Sequence, residues 1–119
     1  MTTDPKTDPS CLFCRIARRE IPSKGVLEDD EFYAFRDIAP QAPTHILVVP
    51  KTHIARLSEA SPDDAPLLAR LFLAVAKVAR AENVSDYRLV VNNGPAAGQS
   101  VDHLHAHLLA GRSFHWPPG

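Results

Sequence analysis

Neither a block of one charge nor a long apolar run marks this chain. Thirteen basic residues stand against fourteen acidic ones, for a formal net charge of −1. No basic stretch is dense enough to displace phosphate counterions, which argues against a nucleic-acid binder. No apolar run approaches the roughly 18 residues of a membrane span, so no membrane partner is expected. Cysteine is scarce too, with only Cys11 and Cys14, together in CLFC. A secreted domain stapled by disulfides would carry several pairs at wider spacing. The first residues, MTTDPKTDPS, lack the charged-then-apolar order of a signal peptide, and the expected location is cytoplasmic. They read as a flexible leader over residues 1–10, with a single domain over 11–119.

What is present has the periodicity of an α+β domain. CLFCRIARREIP reads as a short helix ending before Pro22, with Leu12, Phe13, Ile16 and Ala17 on one side. VLED and EFYAFRDI form two apolar-rich runs joined around Asp29 and Asp30, a hairpin signal. APQAP forces an extended turn, because proline fixes φ and lacks an N–H, and HILVVP follows as a buried strand. SPDDAPLLARLFLAVAKVARAEN is one long helix, with Ser61 and Pro62 at its start. Its core-facing stripe is Leu68, Leu71, Phe72, Val75, Val78 and Ala79. YRLVVN is a further strand. The order implies about five antiparallel strands with one long and one short helix.

The densest chemistry lies in VDHLHAHLLAGR, where His103, His105 and His107 occupy every second position. On a strand these three side chains share one face, about 6–7 Å apart, while Leu104, Ala106 and Leu108 face the core. Such a row serves a metal site, a nucleophile with proton-handling neighbours, or a solvated polar face. The loop before it, NNGPAAGQS, favours catalysis. Gly94 and Gly98 permit close backbone approach, and Gln99 and Ser100 bring side-chain donors beside the imidazoles. The CLFC pair reads as half a metal site, a redox pair, or two small apolar residues on a helix.

With the motif His103-Leu104-His105-Ala106-His107-Leu108-Leu109 the chain resembles the histidine triad (HIT) superfamily. CLFCRIARREIP, AFRDIAPQAPTHILVVPKTHI, GQSVDHLHAHLLAGR and the terminal HWPPG resemble its Hint branch, the purine nucleoside phosphoramidases. The resemblance implies a homodimer that joins two five-stranded sheets into one of ten strands. It implies hydrolysis of the P–N bond in AMP- or GMP-amine conjugates through a covalent nucleotidyl-histidine. His105 would be the nucleophile, His107 a contact to phosphate oxygens, and His103 an orienting group acting with His45. Gly98, Gln99 and Ser100 would surround the phosphate and leaving group, with Asn92 nearby. Asp37 would hold the ribose hydroxyls. Phe13, Ile16, Ile21, Phe35, Ile38 and Leu47 would line a slot for the base, and Trp116 would act across the dimer.

The resemblance also implies a structural zinc held by Cys11, Cys14, His53 and His103, with no metal required for catalysis. Asp102 departs from the branch, which has an aromatic residue there, and adds negative charge beside the site. Two rival functions are a dinucleoside polyphosphate hydrolase of the Fhit type, disfavoured by LLAGR and HWPPG, and a nucleotide sensor without turnover.

Overall fold

In the computed structural model, which describes residues 6–119, the hydrophobic strand β3 (Thr44–Pro50) organises the domain. Every residue of it after Thr44 is buried, because both faces of the sheet are covered here. Strands β1 (Gly25–Glu28), β2 (Phe32–Arg36), β4 (Tyr87–Val90) and β5 (Ala106–Ala110) complete a sheet of order β1-β2-β3-β5-β4. All its pairings are antiparallel. Between β1 and β2 the carboxylate of Asp29 accepts the N–H groups of Glu31 and Phe32, at 2.8 and 2.7 Å, which closes the expected hairpin. Residues 1–5 of the expected leader lie outside the described residues. Residues 6–10 contact the domain: the carbonyl of Lys6 accepts the N–H of His53 and that of Asp8 accepts the N–H of Cys11.

One face of the sheet packs against helix α2 (Ala65–Ala81). Ile46 and Val48 of β3, Ala106 and Leu108 of β5, and Leu104 join Leu71, Ala74, Val75, Val78 and Ala79 in the main core. Phe72 departs from the expected stripe and is exposed, while Ala74 is buried. At about 100° per residue Phe72 falls on the margin of the face centred between Leu71 and Val75. The helix is preceded by a single 3-10 turn over Pro62–Asp64, where Asp64 accepts the Ser61 N–H at 2.9 Å. Pro66 lies in the first turn of α2, where its missing N–H costs nothing.

The opposite face carries the short helix α1 (Leu12–Ala17). Phe13, Cys14, Ile16 and Ala17 pack there against Tyr33, Phe35, Leu47 and Val49. Leu12 is exposed rather than buried, because Cys14 takes the inward position.

The histidine segment also differs from a continuous strand. β5 starts at Ala106, so of the three histidines only His107 is in the ladder, opposite Leu47. His103 and His105 precede the strand and are buried, not solvated. The alternation survives, since Leu104, Ala106 and Leu108 all enter the α2 core. β5 stops just before Gly111, whose φ is +96° and whose added Cβ would meet the Pro43 Cβ at 2.7 Å. Gly111→Ala should therefore lower stability by about 2–3 kcal/mol, from a positive φ and a rigid neighbour together. An unchanged midpoint in urea would show that this corner yields freely.

Candidate active site and metal-binding cluster

The face of the sheet away from α2 gathers His45, His105 and His107, the first two with protonation set by backbone groups and the third by His45. His105 Nδ1–H donates to the carbonyl of His103 at 2.6 Å, since a carbonyl can only accept. The neutral ring then presents an unprotonated Nε2. The N–H of Gln41 donates to His45 Nδ1 at 3.0 Å, which places the His45 proton on Nε2. That nitrogen lies 2.9 Å from His107 Nδ1 and 3.4 Å from Asp37 Oδ2. His107 thus accepts at Nδ1 and keeps its proton on Nε2. A bare nitrogen on His105 and a donor on His107 stand beside each other, their rings 4.8 Å apart.

Burial keeps these rings neutral. It pushes His107 down to about 4 from 6.5, with the neighbouring His105 and His45 acting in the same direction. His105 and His45 are lowered too, chiefly by burial and against the pull of Asp37. A neutral imidazole is the nucleophilic form. The Phe13 ring stands edge-on to His105, with centroids 5.0 Å apart, and limits its rotation.

A cleft of about 590 Å³ opens beside this row, lined by Asp37, Ile38 and His45 with Lys24, Arg36 and Pro43. Asp37 uses Oδ1 to accept the Ala39 N–H at 2.8 Å, which leaves Oδ2 toward His45. Ile38 is fully exposed on this cleft, whereas Phe13, Ile16, Phe35 and Leu47 are buried in the apolar cluster. Of the residues expected to receive a base, Ile38 lines this cleft, while the others lie in the buried cluster with Ile21 half-buried against it.

The loop from Asn92 to Ser100 needs a correction. Gln99 was expected to offer a free side-chain donor. Its amide instead donates to the carbonyls of Ala55 and Val101, at 2.7 and 3.0 Å, and accepts the Gly94 N–H at 2.8 Å. Gln99 is a brace, because a buried amide must satisfy its own polar atoms before it serves a ligand. Gly98 adopts φ +102°, and a Cβ there would lie 3.5 Å from the Asn92 amide. Ser100 is exposed. Asp102 is paired with Arg56 at 3.0 Å, so its charge is partly neutralised. Trp116 is exposed and outside this cluster within the chain.

Behind the row lies a second constellation. Cys11 Sγ, Cys14 Sγ, His53 Nδ1 and His103 Nδ1 all lie within 4.8 Å of one another. His103 Nε2–H donates to the Pro50 carbonyl at 2.7 Å, which leaves Nδ1 bare and aimed at the group. A tetrahedral zinc site has ligand–ligand edges of about 3.3–3.8 Å, from bond lengths of about 2.0 Å to nitrogen and 2.3 Å to sulfur. The observed edges are 3.3 Å for Cys11–His103, 3.5 Å for Cys14–His103, 3.5 Å for Cys14–His53 and 3.2 Å for His53–His103. Two sulfurs and two nitrogens at these edges fit zinc. Backbone N–H groups of Asp8 and Cys14 point at the two sulfurs, at 3.5 and 3.4 Å, as suits thiolates. Burial pushes the Cys14 thiol up to about 11 and His103 down to about 4, so metal uptake must displace a thiol proton but meets a neutral imidazole. Asp37, His45 and His107 also cluster within 4.8 Å. Their 2.9 Å N–N separation is a hydrogen bond, shorter than a tetrahedral edge.

Sequence reasoning missed the groups that fix the tautomers. The Gln41 N–H and the carbonyls of Pro50 and His103 are backbone atoms, which carry no residue signature.

Fold and site together define a histidine triad protein. The HIT domain profile matches residues 18–114, and the chain belongs to the HIT family. It is 56% identical over 109 residues to an uncharacterized HIT-like protein of Synechococcus elongatus, covering 91% of this chain and 96% of that one. The HIT family hydrolase from Legionella pneumophila superposes with a TM-score of 0.89 at 52% identity, over 92% of this chain and all of that one. A zinc-bound histidine triad family protein from Mycobacterium smegmatis matches with a TM-score of 0.73 at 33% identity, over 87% of this chain and 76% of that one.

Proposed function

We propose that this protein is a nucleotide-binding hydrolase of the Hint type, which cleaves the P–N bond of purine nucleoside 5′-phosphoramidates. The observation that carries the reading is the bare Nε2 of His105, fixed by the 2.6 Å bond from Nδ1–H to the His103 carbonyl and flanked by His107. The similarity to a protein solved as a HIT family hydrolase supports it.

In the first step the His105 Nε2 lone pair attacks the α-phosphorus. The P–N bond breaks, and the amine leaves with a proton passed by the Ser100 hydroxyl. In the second step water attacks phosphorus, the P–Nε2 bond breaks, and the lone pair returns to His105. The water gives one proton back to the Ser100 oxygen, and its oxygen stays in the nucleoside monophosphate. His107 Nε2–H meets the charge on the non-bridging oxygens, backed by the proton that His45 donates to Nδ1. Asp37 Oδ2 accepts from the ribose hydroxyls, and the wall at Ile38 with the floor at Phe13, Ile16 and Leu47 receives the base. Asn92, Gly98 and Ser100 close around the phosphate, in a loop that Gln99 braces.

The same reading includes zinc on Cys11, Cys14, His53 and His103, supported by the donor set and by the zinc-bound relative. Zinc there supplies a cross-link between α1 and the histidine segment. It also includes a homodimer across β4, an edge strand of the sheet with no strand beyond it among the described residues. Exposed Phe72, Leu73 and Tyr87 would be covered by a second copy, and Trp116 would reach the partner's site. Among the described residues no helix is long and apolar enough to cross a membrane, and the working location is cytoplasmic.

The test is turnover of a fluorogenic adenosine 5′-phosphoramidate, with intact mass spectrometry for a nucleotidylated chain. Turnover together with a trapped adduct is expected. AMP binding without turnover would turn the assignment to a sensor, and cleavage of diadenosine polyphosphates in preference would turn it to the rival hydrolase.

A further inference from the structure

His103 has four polar positions, and each is tied to a different part of the molecule. Its N–H donates to the Val101 carbonyl at 2.8 Å. Its carbonyl accepts from His105 Nδ1–H at 2.6 Å, and its Nε2–H donates to the Pro50 carbonyl at 2.7 Å. Its Nδ1 faces Cys11, Cys14 and His53. The ring is 0% exposed, so water cannot replace any of these partners.

The peptide joining His103 to Leu104 is held from both sides. Its carbonyl orients the nucleophile, and its N–H donates to the Ile54 carbonyl at 2.7 Å. Ile54 directly follows His53, another member of the Cys/His cluster. The hydrogen bond of the His105 ring therefore goes to a peptide whose two neighbours along these links, His103 and His53, both belong to that cluster. Thiols and imidazoles left to themselves hold one another weakly, since a thiol is a poor donor and a poor acceptor. A bound ion would replace these loose contacts with four metal–ligand bonds.

We infer that metal occupancy of the Cys11–Cys14–His53–His103 cluster sets the pose of His105, through the His103–Leu104 peptide. Cys11, Cys14 and His53 are then positioning residues for the nucleophile, and the metal is more than a cross-link in the fold. This rests on the zinc and nucleophile assignments made above. No step of the reaction passes through the ion. Its effect is on how long His105 stays aligned, which enters kcat and leaves substrate affinity alone.

The experiment compares the full chain loaded with zinc, stripped by a chelator, and reloaded. It measures zinc content, the His105 Nδ1–H resonance in a 15N-labelled sample, and steady-state kinetics with an adenosine 5′-phosphoramidate. Stripping should lower kcat about tenfold or more, as loss of orienting groups around a metal site does. KM should stay within about twofold, the His105 Nδ1–H signal should broaden or vanish, and zinc should restore all of it. His53→Ala, which leaves α1 intact, should reproduce the stripped state and not respond to zinc. Zinc bound at one per chain, with an unchanged His105 resonance and kcat after stripping, overturns the inference alone. No zinc uptake overturns the metal assignment, and the inference with it. If the wild type turns over no phosphoramidate, the function assignment fails separately and the His105 resonance alone decides. If the stripped protein and His53→Ala both unfold by circular dichroism, the cluster is only a staple and the inference is wrong.

Discussion

His105→Ala is expected to lower phosphoramidate turnover by about 10⁴-fold or more while AMP still binds within a few-fold of wild type. The separation follows from the geometry. On the proposed function His105 would contribute one reacting atom, Nε2, whereas binding would draw on Asp37, the cleft wall and the glycine loop. Alanine keeps the small alternating core of Leu104 and Ala106 undisturbed, so the fold should persist. No nucleotidyl adduct should appear in the mass spectrum. His107→Ala, by contrast, removes a donor to charge and should cost only about 10²–10³-fold. Equal losses for the two variants, or residual adduct in His105→Ala, would move the nucleophile elsewhere in the row.

Acid should destabilise the metal-stripped protein well above the range where carboxylates protonate. The folded His107 is pushed down to about 4, against 6.5 for the free side chain. Between those values the unfolded chain takes up a proton that the native ring refuses, so stability rises with pH across the window. The contribution is fully present above about 6.5 and is lost as pH falls toward 4. His105 and His45, also lowered by burial, act with the same sign. At about 1.4 kcal/mol per pKa unit, His107 alone accounts for about 3 kcal/mol by pH 4, or a fall of about 10 °C in midpoint. Thermal unfolding from pH 7.5 to 4 would measure it, and His107→Asn should flatten the slope. A wild-type midpoint that does not move, or an equal slope in His107→Asn, would show that His107 takes its proton in the fold. Metal-free protein is specified because zinc bound as proposed would compete with protons for Cys14 and His103.

Much of this architecture is legible from residue patterns. β3 is an unbroken apolar run closed by Pro50, and α2 shows its helical period from Leu68 to Ala79, so both follow from burial alone. Phe72 escaped because a residue on the margin of an amphipathic face is decided by the width of the sheet it packs on, not by its own hydropathy. The start of β5 escaped for a related reason. A period of two continues through His103 and His105, but their hydrogen bonds go to Pro50, Val101 and the triad's own backbone rather than to a neighbouring strand. At the site, residue types were readable and their protonation was not. Gln99 illustrates the gap, since nothing local to GQS says that Ala55, 44 positions earlier, will accept its amide proton.

That the tautomers are dictated by main-chain atoms has a consequence for how the site tolerates change. No side-chain substitution deletes the Gln41 N–H short of proline, or the carbonyls of Pro50 and His103. Mutation of Gln41 should therefore be quieter than its placement suggests, whereas His103 also commits its side chain to the Cys/His cluster. Sensitivity is displaced onto whatever aims the loops. Arg112 donates to the Gln41 carbonyl at 3.1 Å while lying over the Phe114 ring, and Gly111 seats against Pro43. Sequence drift in this family member should thus be freest at positions that touch the imidazoles only through their backbone, and most constrained at corners that never meet substrate.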